Sequence, residues 1–160
     1  MPTLFLQSTL MKILITMGFS ALPVIELRGG IPLGIGMGLD NWTTFLAAVA
    51  GNMLPVPFII LFLRSFLHWA EKRFPRFGAL ARRLETRAHL KGRLVRKYKV
   101  LGLLILVAIP LPGTGAWTGA LVSVFLDIRL RSALPIILAG VVIAGVIMMC
   151  LTYGVSFFLL

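Results

Sequence analysis

The sequence predicts an all-α integral membrane fold. It reads as two inverted repeats, each a re-entrant helical hairpin followed by a transmembrane helix, joined by a basic amphipathic cytoplasmic segment. Three observations predict this. Of 160 residues, 59% are apolar and 13% charged, with a mean hydropathy of +0.99, whereas a soluble domain carries about 25% charged residues. The net charge of +11 is concentrated: between Arg64 and Lys99 stand twelve of the 16 Lys and Arg residues, against only Glu71 and Glu85. The rest of the chain holds two long uncharged stretches and two that are broken at their centres by proline and glycine. Such a composition excludes a soluble enzyme, a disordered tail and a disulfide-built secreted domain, since Cys150 is the one cysteine. No enzymatic activity is expected.

The chain reads as one membrane domain over residues 1–160, and its first repeat covers 11–64. Met11-Lys12 has the form of a natural start. A signal peptide is not expected, because Lys12 comes late, no small-x-small cleavage site follows, and Glu26 lies just beyond. The stretch 13–39 is interrupted by Pro23-Val24-Ile25-Glu26-Leu27-Arg28-Gly29-Gly30-Ile31-Pro32. Each flanking piece is about ten residues, near 15 Å at about 1.5 Å per residue, which is half of the roughly 30 Å of hydrocarbon in a bilayer. Proline removes a helical donor and glycine permits a sharp reversal, so the stretch is expected to enter and leave on one side. A full span follows over 42–63, opened by Asp40, Asn41 and an interfacial Trp42 and closed by Arg64. Asn52 and Pro55-Val56-Pro57 predict a kink within it.

The joining segment, 65–99, places Phe77, Leu80, Leu84, Ala88, Leu94 and Tyr98 at helical spacing among its basic residues. This predicts an amphipathic helix lying in the membrane plane, broken near Pro75 and Gly92. Each Lys or Arg near an anionic leaflet adds about 1 kcal/mol of attraction, so orientation and lipid docking explain the charge without nucleic acid. His68 and His89 have no ligand partners at metal-binding spacing, so no metal site is expected.

The second repeat covers 100–160. Its hairpin, 100–126, is broken by Pro110-Leu111-Pro112-Gly113-Thr114-Gly115, and its span runs over 132–160 behind Arg129 and Arg131. Gly30, Gly34 and Gly38 recur every four residues after the first break, as Gly115 and Gly119 do after the second. Small residues at that spacing let helix backbones approach closely in lipid.

One crossing per unit gives the two units opposite orientations. Positive-inside statistics place the basic segment, Arg129 and Arg131 in the cytoplasm and both termini outside. The broken tips then approach each other near the midplane, where transporters built from inverted repeats hold their substrates. Glu26 and Arg28 are the only ionisable residues in the first break. A charge at that depth is expensive and marks either a site or a mutually neutralising pair. Arg28 would offer phosphate a planar fork, and Glu26, freed when phosphate occupies Arg28, would carry protons. Gly29 and Gly30, in the same break, are further substrate-binding candidates. Opposite them, Pro112, Gly113, Thr114, Gly115, Trp117 and Thr118 would present amides and hydroxyls at a half-helix N-terminus. Asn52, Arg129 and Arg131 are secondary candidates.

The run Glu26-Leu27-Arg28-Gly29-Gly30-Ile31-Pro32-Leu33-Gly34 and the run from Pro110 to Leu121, with its Pro-Leu-Pro-Gly-Thr-Gly-Ala-Trp-Thr-Gly-Ala-Leu order, together resemble the small multidrug export protein family over about residues 11–160. That family is similar in turn to the DedA membrane proteins, which have two opposed re-entrant hairpins. The likeness implies a bacterial inner-membrane transporter that moves an anionic phosphate-bearing lipid, undecaprenyl phosphate or a phospholipid, between leaflets. The expected partners are anionic membrane lipids, protons or sodium as coupling ion, and a second copy in a homodimer, with no cofactor and no nucleic acid. The family's name implies proton-coupled efflux of small amphipathic drugs instead. A third reading is a membrane scaffold acting through its basic segment. DedA proteins usually carry further charged residues around the second hairpin, where this sequence offers only Arg129 and Arg131.

Overall fold

The computed structural model describes residues 8–73, 92–111 and 113–159, and among these it is all-helical. The helices are α1 (Thr9–Ala21), α2 (Glu26–Gly36), α3 (Asn41–Met53), α4 (Pro55–Arg73), α5 (Gly92–Ala108), α6 (Ala116–Phe125) and α7 (Leu130–Leu159). Most of the joining segment, 74–91, lies outside the described residues.

Two stretches are long and apolar enough to cross a membrane: Asn41–Trp69, which is α3 with most of α4, and Leu130–Gly154 within α7. Their outer faces are apolar, with Phe58, Phe62, Val146 and Leu151 exposed. On a soluble protein such a surface would drive aggregation; in lipid it is the favoured exterior. The chain is a helical membrane protein. α1, α2 and α6 have 13, 11 and 10 residues, and at about 1.5 Å per residue none exceeds about 20 Å.

The first break is narrower than the sequence suggests. Helix α2 starts at Glu26 and runs through Gly29, Gly30 and Pro32. Pro32 removes a single intrahelical donor, and the two glycines that would weaken an isolated helix pack against neighbours. A Cβ on Gly30 would overlap the Ser20 hydroxyl of α1, and one on Gly29 the Ile25 side chain. Tertiary contact here overrides propensity. In the first span the helix breaks at Leu54, just before Pro55, whose ring nitrogen has no proton for the Gly51 carbonyl. The basic segment also ends earlier: Gly92 opens α5, which carries the last basic residues straight into the apolar arm.

Within the first half α1, α2 and α3 all touch one another, and within the second half α5, α6 and α7 do the same. The halves join where α2 and α3 meet α7 and where α4 meets α6 and α7. Leu27, Ile31, Ala48, Val56, Ile60, Leu103, Val107, Ala120, Ile137 and Val141 form one continuous core across that junction.

Local devices recur between the halves at one constant sequence separation. Helix α2 ends with Gly38 at φ +78°, the Gly38 N–H donating to the Ile35 carbonyl and the Leu39 N–H to Gly34. Helix α6 ends with Asp127 at φ +52°, its N–H donating to Val124 and the Ile128 N–H to Ser123. Both are the same left-handed C-terminal cap, closed by an apolar residue, Leu39 or Ile128, that turns inward. At the same separation stand Gly51 and Gly140. Gly51 lies on the Met17 backbone of α1, and Gly140 on Val107 of α5, so each span packs a glycine on the first arm of its own hairpin.

Candidate functional site

The two breaks meet, and each completes the other's helix ends. Glu26, the residue that opens α2, has φ +48°. Left-handed backbone strains a residue with a Cβ by about 1–3 kcal/mol. The carboxylate is nonetheless buried, the residue being 5% exposed, against Gly115 of the second break. Gly115 caps the N-terminus of α6 with φ +144°, and any Cβ there would collide with the Glu26 carboxyl. Only glycine suits both the backbone angle and the contact.

The Trp117 N–H, in the first turn of α6, donates to Glu26 Oε1 at 3.4 Å. First-turn amides lack intrahelical acceptors, and the helix dipole favours negative charge beside them. Glu26 therefore caps α6 from the other half of the chain. In the reverse direction the Trp117 indole N–H donates at 3.1 Å to the carbonyl of Ala21, the last residue of α1. That carbonyl is one of the four that a helix C-terminus leaves without a partner.

Arg28 crosses the same gap. Its Nη2 donates to the Thr114 carbonyl and, at 3.0 Å, to Thr114 Oγ1. Thr114 staples its own turn: its hydroxyl lies 2.8 Å from the Ile109 carbonyl and 2.9 Å from that of Leu111, and accepts the Leu111 N–H at 3.2 Å. The Thr118 hydroxyl closes the turn on the Gly113 carbonyl at 2.8 Å. Glu26 and Arg28 do not form the ion pair considered from sequence, because helical residues two apart face different ways. Among the described residues the one ion pair is Arg64 with Asp127, at 4.0 Å.

Of the residues singled out by sequence, Glu26, Arg28, Thr114, Gly115 and Trp117 come together, with Gly113 and Thr118 shaping the turn behind them. Gly29 and Gly30 serve helix packing instead. Pro112 lies outside the described residues. Asn52 is fully buried on α3 with its Oδ1 unpartnered, and makes no hydrogen bond to either break. Arg129 and Arg131 are exposed and reach neither break. Sequence reasoning missed the Ala21 carbonyl, since a backbone acceptor leaves no trace in residue type. It also missed Gly51, whose one signal is a glycine in mid-span. Thr16, Ser20 and Thr44, buried around Gly30 and Gly34, were missed as well. The hydroxyls of Ser20 and Thr44 have no conventional partner there.

A family model described as "Putative small multi-drug export protein" matches residues 26–147, from Glu26 at the first break to the middle of α7. Neither the curated proteins nor the solved structures give a match.

Proposed function

The chain belongs to the small multi-drug export protein family, and from that premise we propose that it is a non-enzymatic transporter moving an anionic, phosphate-bearing lipid between leaflets with ion coupling. The observation that carries this reading is the Glu26 carboxylate seated on the N-terminus of α6 with Arg28 alongside. A half-depth helix N-terminus next to a guanidinium is chemistry suited to phosphate, and here a carboxylate of the protein occupies it. A phosphate headgroup must displace Glu26 to bind. Protonation of Glu26 weakens its hold on the α6 amide and clears the place. Substrate thus competes with the ionised carboxylate for one position and is favoured by its protonation, which is a minimal coupling device.

The membrane arrangement in this reading is two oppositely oriented units. The recurring caps and span glycines at constant separation support it, as do three hairpin arms, α1, α2 and α6, that are too short to cross. The basic segment is cytoplasmic, both termini lie outside in a bacterial inner membrane, and a homodimer seals the lipid path.

Proton-coupled efflux of amphipathic cations is the second reading, favoured by the family's description. Arg28 at the break opposes it by repelling a cation. The deciding experiment reconstitutes the protein in liposomes and follows leaflet exchange of a labelled polyprenyl phosphate beside uptake of a cationic dye. Lipid exchange that needs Glu26 and Arg28 supports the proposal; dye movement without lipid movement overturns it. Proton-gradient-driven transport that survives Glu26→Gln overturns the coupling role.

A further inference from the structure

A second feature lies at the open end of the second hairpin, away from the breaks. Between α5 and α6 runs a groove of 380 Å³ lined by Tyr98, Lys99, Gly102, Leu103, Val122 and Leu126. Its floor is apolar, and Gly102 keeps it open: a Cβ at that position would meet nothing within 4 Å. Two cations flank its end. Lys99 Nζ donates to the Leu126 carbonyl at 3.1 Å, and Arg64 Nη2 donates to the Ile128 carbonyl two residues on. Both therefore hold the turn that ends α6. Lys99 has no other partner among the described residues, leaving ammonium donors over. Arg64 keeps a shielded Nε–H with no acceptor. Among the described residues the only acid in the cluster is Asp127, which is largely exposed, and its 4.0 Å approach to Arg64 neutralises little in water. Arg129 adds a further exposed positive charge beside it.

We propose that this groove binds an anionic phospholipid, with an acyl chain along Gly102, Leu103, Val122 and Leu126 and the phosphate between Lys99 and Arg64. The level is right for a headgroup. Lys99 is the last charge before the uncharged run 100–126, and the exposed Tyr98 beside it has the amphipathic ring that favours the interface. Charge complementarity selects the occupant: a zwitterionic lipid would fill the groove equally well and gain little from two cations. The site is separate from the breaks and does not depend on what is transported.

The test uses the full-length protein in nanodiscs with a photoactivatable phosphatidylglycerol, competed by phosphatidylglycerol or by phosphatidylethanolamine with the same chains. Labelling of peptides within 98–126 is expected, competed by the anionic lipid about 25- to 30-fold better, as two interfacial cations at about 1 kcal/mol each would give. Lys99→Gln should lower labelling about fivefold. Gly102→Leu, whose Cβ meets nothing within 4 Å and whose side chain fills the groove without changing the charge, should lower it comparably. Arg73→Gln, which removes the same charge from an exposed part of the basic segment, should leave it within about twofold. Equal competition by the two lipids overturns the proposal. So does undiminished labelling of Gly102→Leu, or cross-linking that joins two protein chains at the groove instead of protein to lipid. Failure of Glu26 variants to transport leaves this outcome untouched, so the two proposals fail separately.

Discussion

At the first break the residue that opens the second arm is Glu26; at the second break the residue in the same place is Gly115, and both have positive φ. Two residues further on, the first break has Arg28 and the second has Trp117. The geometry is shared, and the chemistry is divided. The first break supplies a carboxylate and a guanidinium. The second supplies a bare Cα, free amides and an indole N–H that fit around them. Neither break is complete alone, because the α6 N-terminus takes an acceptor from Glu26 and the α1 C-terminus a donor from Trp117. Interlocking of this kind buries charge within an apolar helical protein without an ion pair: each charged side chain finds backbone dipoles instead.

Exchanging the roles should be most damaging at Gly115. Gly115→Ala forces a Cβ into the Glu26 carboxylate at a backbone angle that resists one. About 3 kcal/mol of destabilisation or more is expected, visible as a lowered melting temperature in detergent together with lost transport. The span glycines sharpen the comparison between the halves. Gly51→Ala meets the Met17 backbone, which cannot move without moving α1, whereas Gly140→Ala meets mainly the Val107 side chain. We expect about 2–3 kcal/mol for the first and about 1–2 kcal/mol for the second, read from thermal unfolding of the two variants side by side. Trp117→Phe keeps an aromatic side chain but removes the five-membered ring with its N–H, leaving the Ala21 carbonyl without its donor. A loss of about 1–2 kcal/mol is expected, and no loss would show that the indole bond contributes nothing.

At the outer turns the comparison runs the other way. Asp127 occupies the left-handed position that Gly38 fills in the first half, so Asp127→Gly should stabilise by about 0.5–1 kcal/mol. The smallest effect concerns the N-cap of α3. Asp40 Oδ2 accepts the Thr43 N–H at 2.9 Å, and the Thr43 hydrogen bonds hold its carboxyl below the usual Asp value. Its contribution is therefore present above that usual value and fades as pH falls through the depressed one. Asp40→Asn, which caps without titrating, should flatten a small acid-side decline in melting temperature.

The breaks themselves were legible because proline and glycine announce backbone that cannot remain helical, and because two charges in an apolar chain demand a partner. Their pairing was legible only as an approach of two tips. Which atoms meet depends on the left-handed turn at Glu26 and on Gly115 standing opposite, and no local pattern reports an angle imposed by a distant segment. The start of α2 was misjudged for a related reason. Gly29 and Gly30 look like turn residues in isolation, and only the Ser20 and Ile25 side chains packed against them show why helix persists there. Arg64 and Lys99 read as part of an undifferentiated basic belt, although they end on the carbonyls of one particular turn.

Glu26 and Gly115 stand at equivalent places in the two halves, and the carboxylate of one lies on the Cα of the other. Two identical halves brought face to face could not build this: they would meet with two carboxylates or with two glycines. The arrangement needs halves whose sequences have diverged at that one position. A single covalent chain guarantees that every molecule receives one of each, so the joining segment, whatever else it does, fixes a one-to-one stoichiometry between acid and socket.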